Sequence, residues 1–342
     1  MKPEYLVTGA TGFVGRRLVE RLIAMGACVR VLVRQPEKLP PHLSSMCEVS
    51  VGDLDNPASL DAAAAGVGVV FHCAANVRTW DEWSAYEAAN IHGVENLAHS
   101  VVRCNPGLRR FVHLSSVDVY GFPVAPVDET AILDKVDFYY GESKRQGEMS
   151  LRRIAQQHGI PYTILRPTNI IGPRSPFIDR IGNELMSGLM LTVDGGGVHA
   201  GLLHVDNLID YMLWAAYSEL SANETFNVRD RCDVSWGSFI DDLKALIGGR
   251  GRVIDLPFIA ANVAAHALAM TYRALPLTGE PMLHPLIVRT FGRTCGHSAD
   301  KLWSISNMEA GVSYESAMAE SASWFLDGRV RGQWPGPANF DP

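Results

Sequence analysis

Tyr5-Leu6-Val7-Thr8-Gly9-Ala10-Thr11-Gly12-Phe13-Val14-Gly15 joins a short apolar run to a glycine-rich turn, and an amphipathic helix comes directly after it. Val14, Leu18, Leu22 and Met25 recur at helical spacing, and Gly26 offers a stop. Strand, turn and helix make the start of a βαβ unit whose loop is built to hold a pyrophosphate. Glycines let phosphates come close to the backbone, and the helix start presents unpaired N–H groups and the positive end of a dipole. The spacing is G-x-x-G-x-x-G (Gly9, Gly12, Gly15), not G-x-G-x-x-G. A glycine triplet also serves plain strand–helix turns, so its weight depends on the rest of the chain.

Outward from that stretch, strand-like and helical segments alternate. Strands are expected at 29–33, 49–52, 67–73, 110–114, 162–165 and 225–228. Helices are expected at 84–103, with Ile91, Val94, Ala98 and Val101 on one face, and at 138–158. Apolar, β-branched strands alternating with helices predict an α/β fold, a doubly wound parallel sheet covered on both faces. Ligands of such sheets lie beyond the carboxyl ends of the strands, where 9–15, Arg34, Asp53, Ala74, Ser116 and Pro167 all fall. After Pro173 the alternation breaks. Residues 179–203 are mixed in pattern, His204-Val205-Asp206 opens a helix to Tyr217, and the chain from Ser235 reads as mainly helical. The expected division is a nucleotide-binding domain at 1–173 and 203–230, a substrate domain at 174–202 and 231–331, and an exposed tail at 332–342.

The chain has 342 residues, 47% hydrophobic and 20% charged, enough to bury a large core. A net charge of −7 argues against nucleic acid and anionic membranes as partners. Cys28, Cys47, Cys73, Cys104, Cys232 and Cys295 show no paired spacing, which fits free thiols in a reducing compartment. Residues 1–4 lead straight into the first strand, leaving no room for a signal peptide. The uncharged apolar stretch 258–272 falls short of the ~20 residues a span requires. A soluble cytoplasmic protein is expected.

Chemistry is concentrated in Tyr140-Gly141-Glu142-Ser143-Lys144. Residues four apart share a helix face, so the Tyr140 hydroxyl and the Lys144 ammonium can converge. A nearby cation favours phenolate and lowers a tyrosine pKa from about 10, making it a usable proton donor or acceptor. A chance pair on a solvated helix has the same local pattern, and Tyr139 next door has the wrong spacing to Lys144.

The company of this motif sets it apart. TGATGFVG at 8–15, Gly52-Asp53-Leu54, HCAA at 72–75, NIHGVENL from Asn90, SSVDVYG at 115–121, YGESK, RPTNIIGPR from Arg166 and LLHVDNL around His204 occur in one order. Together they resemble the extended short-chain dehydrogenase/reductase family over about residues 5–230. That resemblance implies a Rossmann domain binding NAD(P) and a smaller substrate domain. It implies cofactor contacts from Gly9, Thr11, Gly12, Phe13, Val14, Arg34, Asp53, Leu54, Ala74, Ala75, Tyr140, Lys144 and Pro167. Ser116 matches the catalytic serine, Tyr140 the acid/base tyrosine, Lys144 its partner, and Asn90 an asparagine that props the site in many members.

No carboxylate stands at the tip of the second strand, Val33-Arg34-Gln35, where an acid would bond a ribose 2′-hydroxyl. Arg34 can instead clamp a 2′-phosphate, helped by Arg16 or Lys38. NADP(H) is therefore favoured, with NAD(H) the alternative. Sugar-nucleotide epimerases and dehydratases of the family usually carry an arginine before the His-Val-Asp segment, and 194–203 has none. Dehydratases also carry Thr-Asp-Glu where this chain has Ser116-Val117-Asp118. The apolar 258–288 segment resembles the 3β-hydroxysteroid dehydrogenase and dihydroflavonol-reductase-like branch. The expected substrate is a hydrophobic, non-nucleotide ketone or secondary alcohol, touched by Ser116, Tyr140, Asn169, Trp80 and His199. A sugar epimerase/dehydratase and a non-enzymatic NADP(H) sensor are the alternatives, and the intact YGESK argues against the sensor. The 11 histidines show no metal-ligand pattern, so no metal is expected. Trp80, Trp83 and Tyr86 serve equally as pocket lining or core. Relatives often dimerise through the 84–103 and 138–158 helices, and Val102, Met149, Leu151 and Ile154 suggest a second apolar face, hence a homodimer.

Overall fold

A computed structural model describes residues 3–275, 277 and 279–330, so the expected tail at 332–342 lies outside the described residues. Runs rich in Val, Leu, Ile and Phe become strands β1 (Tyr5–Thr8), β2 (Val29–Val33), β3 (Glu48–Val51), β4 (Val69–His72), β5 (Arg110–Leu114), β6 (Tyr162–Pro167), β7 (Asn169–Ile171), β8 (Leu189–Val193), β9 (Leu202–His204), β10 (Glu224–Val228) and β11 (Arg252–Leu256). Seven of them form one sheet in the order β10-β6-β5-β4-β1-β2-β3, every pair parallel. Strand order reverses between β1 and β4, which opens a crevice at their carboxyl ends.

Alternation along the strands divides the core in two. Tyr5, Val7, Val31, Phe71 and Leu165 point to one face, where Leu18, Leu22, Leu208 and Met212 of the helices Phe13–Ala24 and Val205–Tyr217 cover them. Leu6, Leu32, Val70, Phe111 and Ile164 point to the other, under Leu60, Leu97, Leu151 and Ile154 of the helices Pro57–Ala64, Gly93–Cys104 and Tyr139–His158. Burying both faces of the inner strands β1, β4, β5 and β6 keeps water from their ladder hydrogen bonds, while the edge strand β3 stays largely exposed. A third core, centred on Trp236, Phe239, Phe291 and Phe325, draws its residues from 171–202 and 236–325.

The structure adds detail to three expectations. The expected helix at 84–103 is a short turn Trp83–Tyr86, a π-helical segment Glu87–His92 and a regular helix Gly93–Cys104. Residues 179–203 are ordered as a helix Pro176–Ser187 followed by β8 and β9. The chain after Ser235 is not all helical, because β11 pairs in parallel with β8. That strand is nearly all exposed and mixes Arg252 and Asp255 with its apolar residues, so no buried run announces it. Leu151 and Ile154 lie in the protomer's own core, so of the residues expected on a second apolar face only Met149, 53% exposed, reaches the surface freely.

The helix Phe258–Ala274 buries Ala261, Ala265 and Ala269 and leaves Ile259, Val263 and Met270 exposed. All six cysteines are free. No helix among the described residues is long and apolar enough to cross a membrane.

Candidate active site

The glycine turn after β1 fits its assigned task. Gly9 has φ +71°, and a Cβ there would lie 2.8 Å from the Ala74 nitrogen at the end of β4. Only glycine lets the two strand ends approach this closely. Gly12 caps the helix Phe13–Ala24 with no side-chain hydrogen bond and no acid in the first turn, so its leading N–H groups are offered to an anion. Thr8 Oγ1 accepts from the Ala74 N–H at 3.1 Å and pairs with His72 Nδ1 at 2.8 Å, tying β1 to the Ala74–Ala75 corner.

Along the same edge, Arg34 follows β2 and Asp53 follows β3, with Arg34 Nε 4.0 Å from Asp53 Oδ2. Asp53 Oδ1 accepts the Leu54 N–H at 2.6 Å, and Asn96 Nδ2 donates to the Leu54 carbonyl at 2.9 Å. The expected contacts Gly9, Thr11, Gly12, Phe13, Val14, Arg34, Asp53, Leu54, Ala74, Ala75 and Pro167 therefore all lie at or just after the carboxyl ends of the sheet strands β1, β2, β3, β4 and β6. An extended dinucleotide matches that edge.

The catalytic half begins where β5 ends. Ser116 caps the turn Val117–Tyr120, accepting the Asp118 N–H at 3.2 Å and donating to Asp118 Oδ2 at 2.9 Å. Tyr140, in the first turn of Tyr139–His158, stands beside Ser116 and Asp118, both of which act on its hydroxyl. The helix holds its place because Ser143 Oγ donates to the Tyr140 carbonyl at 2.8 Å while accepting from Asn90 Nδ2 at 2.9 Å. Asn90 is itself clamped: its Oδ1 accepts from the Asn76 N–H at 2.7 Å and its Nδ2 donates to the Asn76 carbonyl at 2.9 Å. Its backbone carbonyl stands where a Cβ on Gly147 would be only 2.2 Å away, so the π-helical segment and the catalytic helix touch backbone to backbone. Irregular π turns of this kind often mark functional sites.

Lys144 shares the face of Tyr140 but does not do what the spacing suggests. Its ammonium donates to the Leu114 carbonyl at 2.6 Å. Burial pushes it down to about 8, with Glu148 and Cys73 pulling the other way. The Tyr140 hydroxyl is not lowered. Burial and then the Asp118 charge drive it well above the usual phenol range, and only the Ser116 hydrogen bond opposes them. Asp118 is the residue that sequence reasoning missed as part of the site. Its carboxyl is pushed up to about 6 by burial, against the Ser116 hydrogen bond. The signal was present as a lone acid between valines two positions after the serine.

Behind these groups lies a buried polar network. Arg166 binds Glu148 with Nε–Oε1 2.9 Å and Nη2–Oε2 2.6 Å, and Ser115 Oγ donates to Glu148 Oε1 at 2.6 Å. Arg166 Nη1 donates to Tyr120 Oη at 2.7 Å, and Tyr120 donates to Asn227 Oδ1 at 2.8 Å.

The expected substrate residues separate. Asn169 sits at the start of β7 and donates to the Ala200 carbonyl at 2.6 Å. Trp80 packs against His284, ring centroids 5.5 Å apart, under the Arg273 guanidinium. Beside it, Trp83 meets Tyr139 at 5.7 Å, Tyr139 meets Tyr86 at 6.5 Å, and Tyr86 meets Tyr140 at 6.4 Å. An aromatic path thus leads outward from the acid/base tyrosine. His199 is occupied otherwise: its Nδ1 accepts from the Gly201 N–H at 2.8 Å, its Nε2 is 3.6 Å from Asp233, and its ring packs on Gly296. Among the described residues His204, Asp206 and Glu320 bring possible ligand atoms together. Arg17 already grips both Asp206 oxygens, at 2.7 and 2.8 Å, which compensates the charge a metal would need.

Known proteins share this arrangement of elements. The family model described as NAD dependent epimerase/dehydratase family matches residues 5–228. A 4-hydroxy-2-methyl-3-oxo-4-farnesyl-3,4-dihydroquinoline-1-oxide ketoreductase of Stigmatella aurantiaca is 31% identical over 86% of the chain and 88% of its own length. A 3 beta-hydroxysteroid dehydrogenase/Delta 5-->4-isomerase of Mycobacterium tuberculosis is 36% identical over 49% of the chain and 47% of its own. Among solved structures, UDP-glucose 4-epimerase of Thermotoga maritima superposes with TM-score 0.74 at 22% identity, covering 95% of the chain and 99% of its own.

Proposed function

The chain belongs to the NAD dependent epimerase/dehydratase family, and from that premise we propose that it transfers hydride between NADP(H) and a hydrophobic, non-nucleotide ketone or secondary alcohol. That it is an NAD(P)-dependent enzyme of the dehydrogenase, reductase and epimerase type follows from the family and its relatives. The narrower reading rests chiefly on the aromatic cluster of Tyr139, Trp83 and Trp80 beside Tyr140, which offers a flat apolar substrate a surface. The ketoreductase relative, similar over most of both chains, supports it.

When bound, the nicotinamide supplies or takes the hydride at the substrate carbon. Tyr140 gives its phenolic proton to the substrate oxygen in reduction and takes it back in oxidation. Ser116 donates a hydrogen bond to the same oxygen, where negative charge develops. Lys144, neutralised more readily than an ordinary lysine, holds the ribose side and supplies positive charge near Tyr140. Asn90, through Ser143, fixes the first turn of the helix that carries both. Sugar-nucleotide epimerisation is the reading this displaces, since no arginine stands in 194–203. Assembly as a homodimer through the helices Gly93–Cys104 and Tyr139–His158 belongs to the proposal, and a monomeric mass by light scattering at micromolar concentration would refute it.

Arg34 carries the cofactor assignment. Fluorescence titration is expected to give tighter binding of NADPH than of NADH. Arg34→Ala should weaken NADPH by roughly 10–100-fold, the worth of one charge-assisted hydrogen bond, and leave NADH nearly unchanged. Tighter NADH binding by the natural protein would overturn the assignment. Turnover of a ketone and alcohol panel, with UDP-sugars included, tests the substrate class.

A further inference from the structure

Three hydrogen-bonding groups meet at the end of β5, and they hold fewer protons than their neighbours can use. Ser116 Oγ has one proton and two lone pairs. It accepts the Asp118 N–H at 3.2 Å, lies 2.9 Å from Asp118 Oδ2 and stands beside the Tyr140 hydroxyl. With Asp118 as a carboxylate, the only proton that can fill the Oγ–Oδ2 contact is the serine's own. Ser116 then points at Asp118, and its remaining lone pair draws the Tyr140 hydroxyl toward it. Both donors needed by a substrate oxygen are turned inward. With Asp118 as an acid, its O–H fills the same contact in the opposite sense. The two Ser116 lone pairs are then taken by Asp118 alone, and the serine and tyrosine protons are both released outward.

We propose that Asp118 is a positioning residue whose proton sets the direction of the Ser116 and Tyr140 hydroxyls, so that the acid form supports carbonyl reduction and the carboxylate form withholds both donors. The inference rests on the ketone-reduction reading for its substrate and on the Ser116–Asp118 geometry for the switch itself. The surroundings favour the acid. Asp118 sits between Val117 and Val119 in a tight turn whose backbone meets that of the helix Tyr139–His158, since a Cβ on Gly141 would lie 2.4 Å from the Asp118 main-chain carbonyl. The titratable groups that face it are Tyr140, from that helix, and Cys295, from the segment after the helix Pro285–Gly292. Both are neutral: the phenol is held well above its usual range, and burial pushes the thiol up to about 12. Lys144 is turned to the Leu114 carbonyl and is not among the charges that act on Asp118. A carboxylate here would have one hydroxyl as its support and no facing cation, and burial accordingly lifts the Asp118 carboxyl to about 6.

The test has two readouts. In protein labelled with 13C at the aspartate carboxyl, the resonance lost in Asp118→Asn is expected to titrate near pH 6. It should titrate higher still in Ser116→Ala, which removes the hydrogen bond that favours the carboxylate. A resonance titrating near the ordinary aspartate value of about 4, or one unmoved by Ser116→Ala, overturns the proposal. The second readout is kcat/KM for ketone reduction against pH. It should fall about tenfold per pH unit above the Asp118 titration in the natural protein, while Asp118→Asn, whose amide always donates to Ser116, runs flat through the same range. Parallel profiles for the two proteins overturn the proposal. A carboxyl that titrates near 6 in a protein that reduces no ketone supports the switch and removes the substrate reading instead.

Discussion

Tyr140→Phe is expected to lower turnover by roughly 10²–10⁴-fold, the range a positioned general acid contributes, with cofactor affinity close to that of the natural protein. The substitution deletes one hydroxyl and keeps the ring that packs 6.4 Å from Tyr86, so the helix should hold its place. Two neighbours serve as controls for the assignment. Lys144→Ala should cost both rate and cofactor affinity, because the ammonium is assigned to the ribose as well as to the site's charge. Ser116→Ala should cost rate alone. Steady-state assays and cofactor titrations on the three variants separate these patterns. Wild-type turnover by Tyr140→Phe would send the search to another hydroxyl. Tyr120 is committed to Arg166 and Asn227, and the Tyr139 ring to Trp83 and Tyr86, which leaves Tyr140 the best placed of the three.

The largest stability effect is expected behind the site, at Glu148. Its carboxylate is wholly buried and held by both nitrogens of Arg166, itself 2% exposed. Glu148→Ala leaves that guanidinium without its carboxylate in a dry place, a change that costs about 3–5 kcal/mol when one partner of a buried pair is removed. Out of a total stability of about 5–15 kcal/mol, that is a large share. Urea unfolding should show it directly. The double replacement Glu148→Leu with Arg166→Met should be milder than Glu148→Ala alone, because no charge is stranded. A loss under about 1 kcal/mol for Glu148→Ala would mean that water reaches Arg166 and takes over the pairing. The pair also sets a pH limit. Burial raises the Glu148 pKa, but Arg166 and Ser115 more than offset that and leave it below the ordinary value. A carboxyl lowered by folding adds stability above its unfolded pKa of about 4.3 and loses it as pH falls through the folded one, so the contribution fades on acidification.

The nucleotide half was largely legible from the chain because its signals are local. A strand, Gly9, Gly12, Gly15 and a helix at fixed spacing leave little for distant contacts to decide. Ser116 and Tyr140 stand side by side because a strand end and the first turn of a helix carry them. The electrostatics were not legible. Four-residue spacing puts Lys144 on the Tyr140 face, yet only the fold reveals that the Leu114 carbonyl takes its ammonium and that Asp118 stands closer in effect. His199 reads as near the site mouth, but Gly201 and Asp233 use both of its nitrogens. Strand β11 escaped because exposed strands carry no apolar run.

The extra residue carried by Glu87–His92 has a consequence for how the chain tolerates length changes. Trp83 and Tyr86 must face the catalytic helix, while Val94, Leu97 and Val101 must face the sheet. An unbroken helix advances about 100° per residue, so removing one residue from 87–92 would restore regular hydrogen bonding and rotate one of those two faces by that angle. The widened turn works as a phase shifter between a catalytic surface and a structural one. Point changes inside it should be borne more easily than a single deletion, which would force the protein to choose between an aligned site and an aligned core.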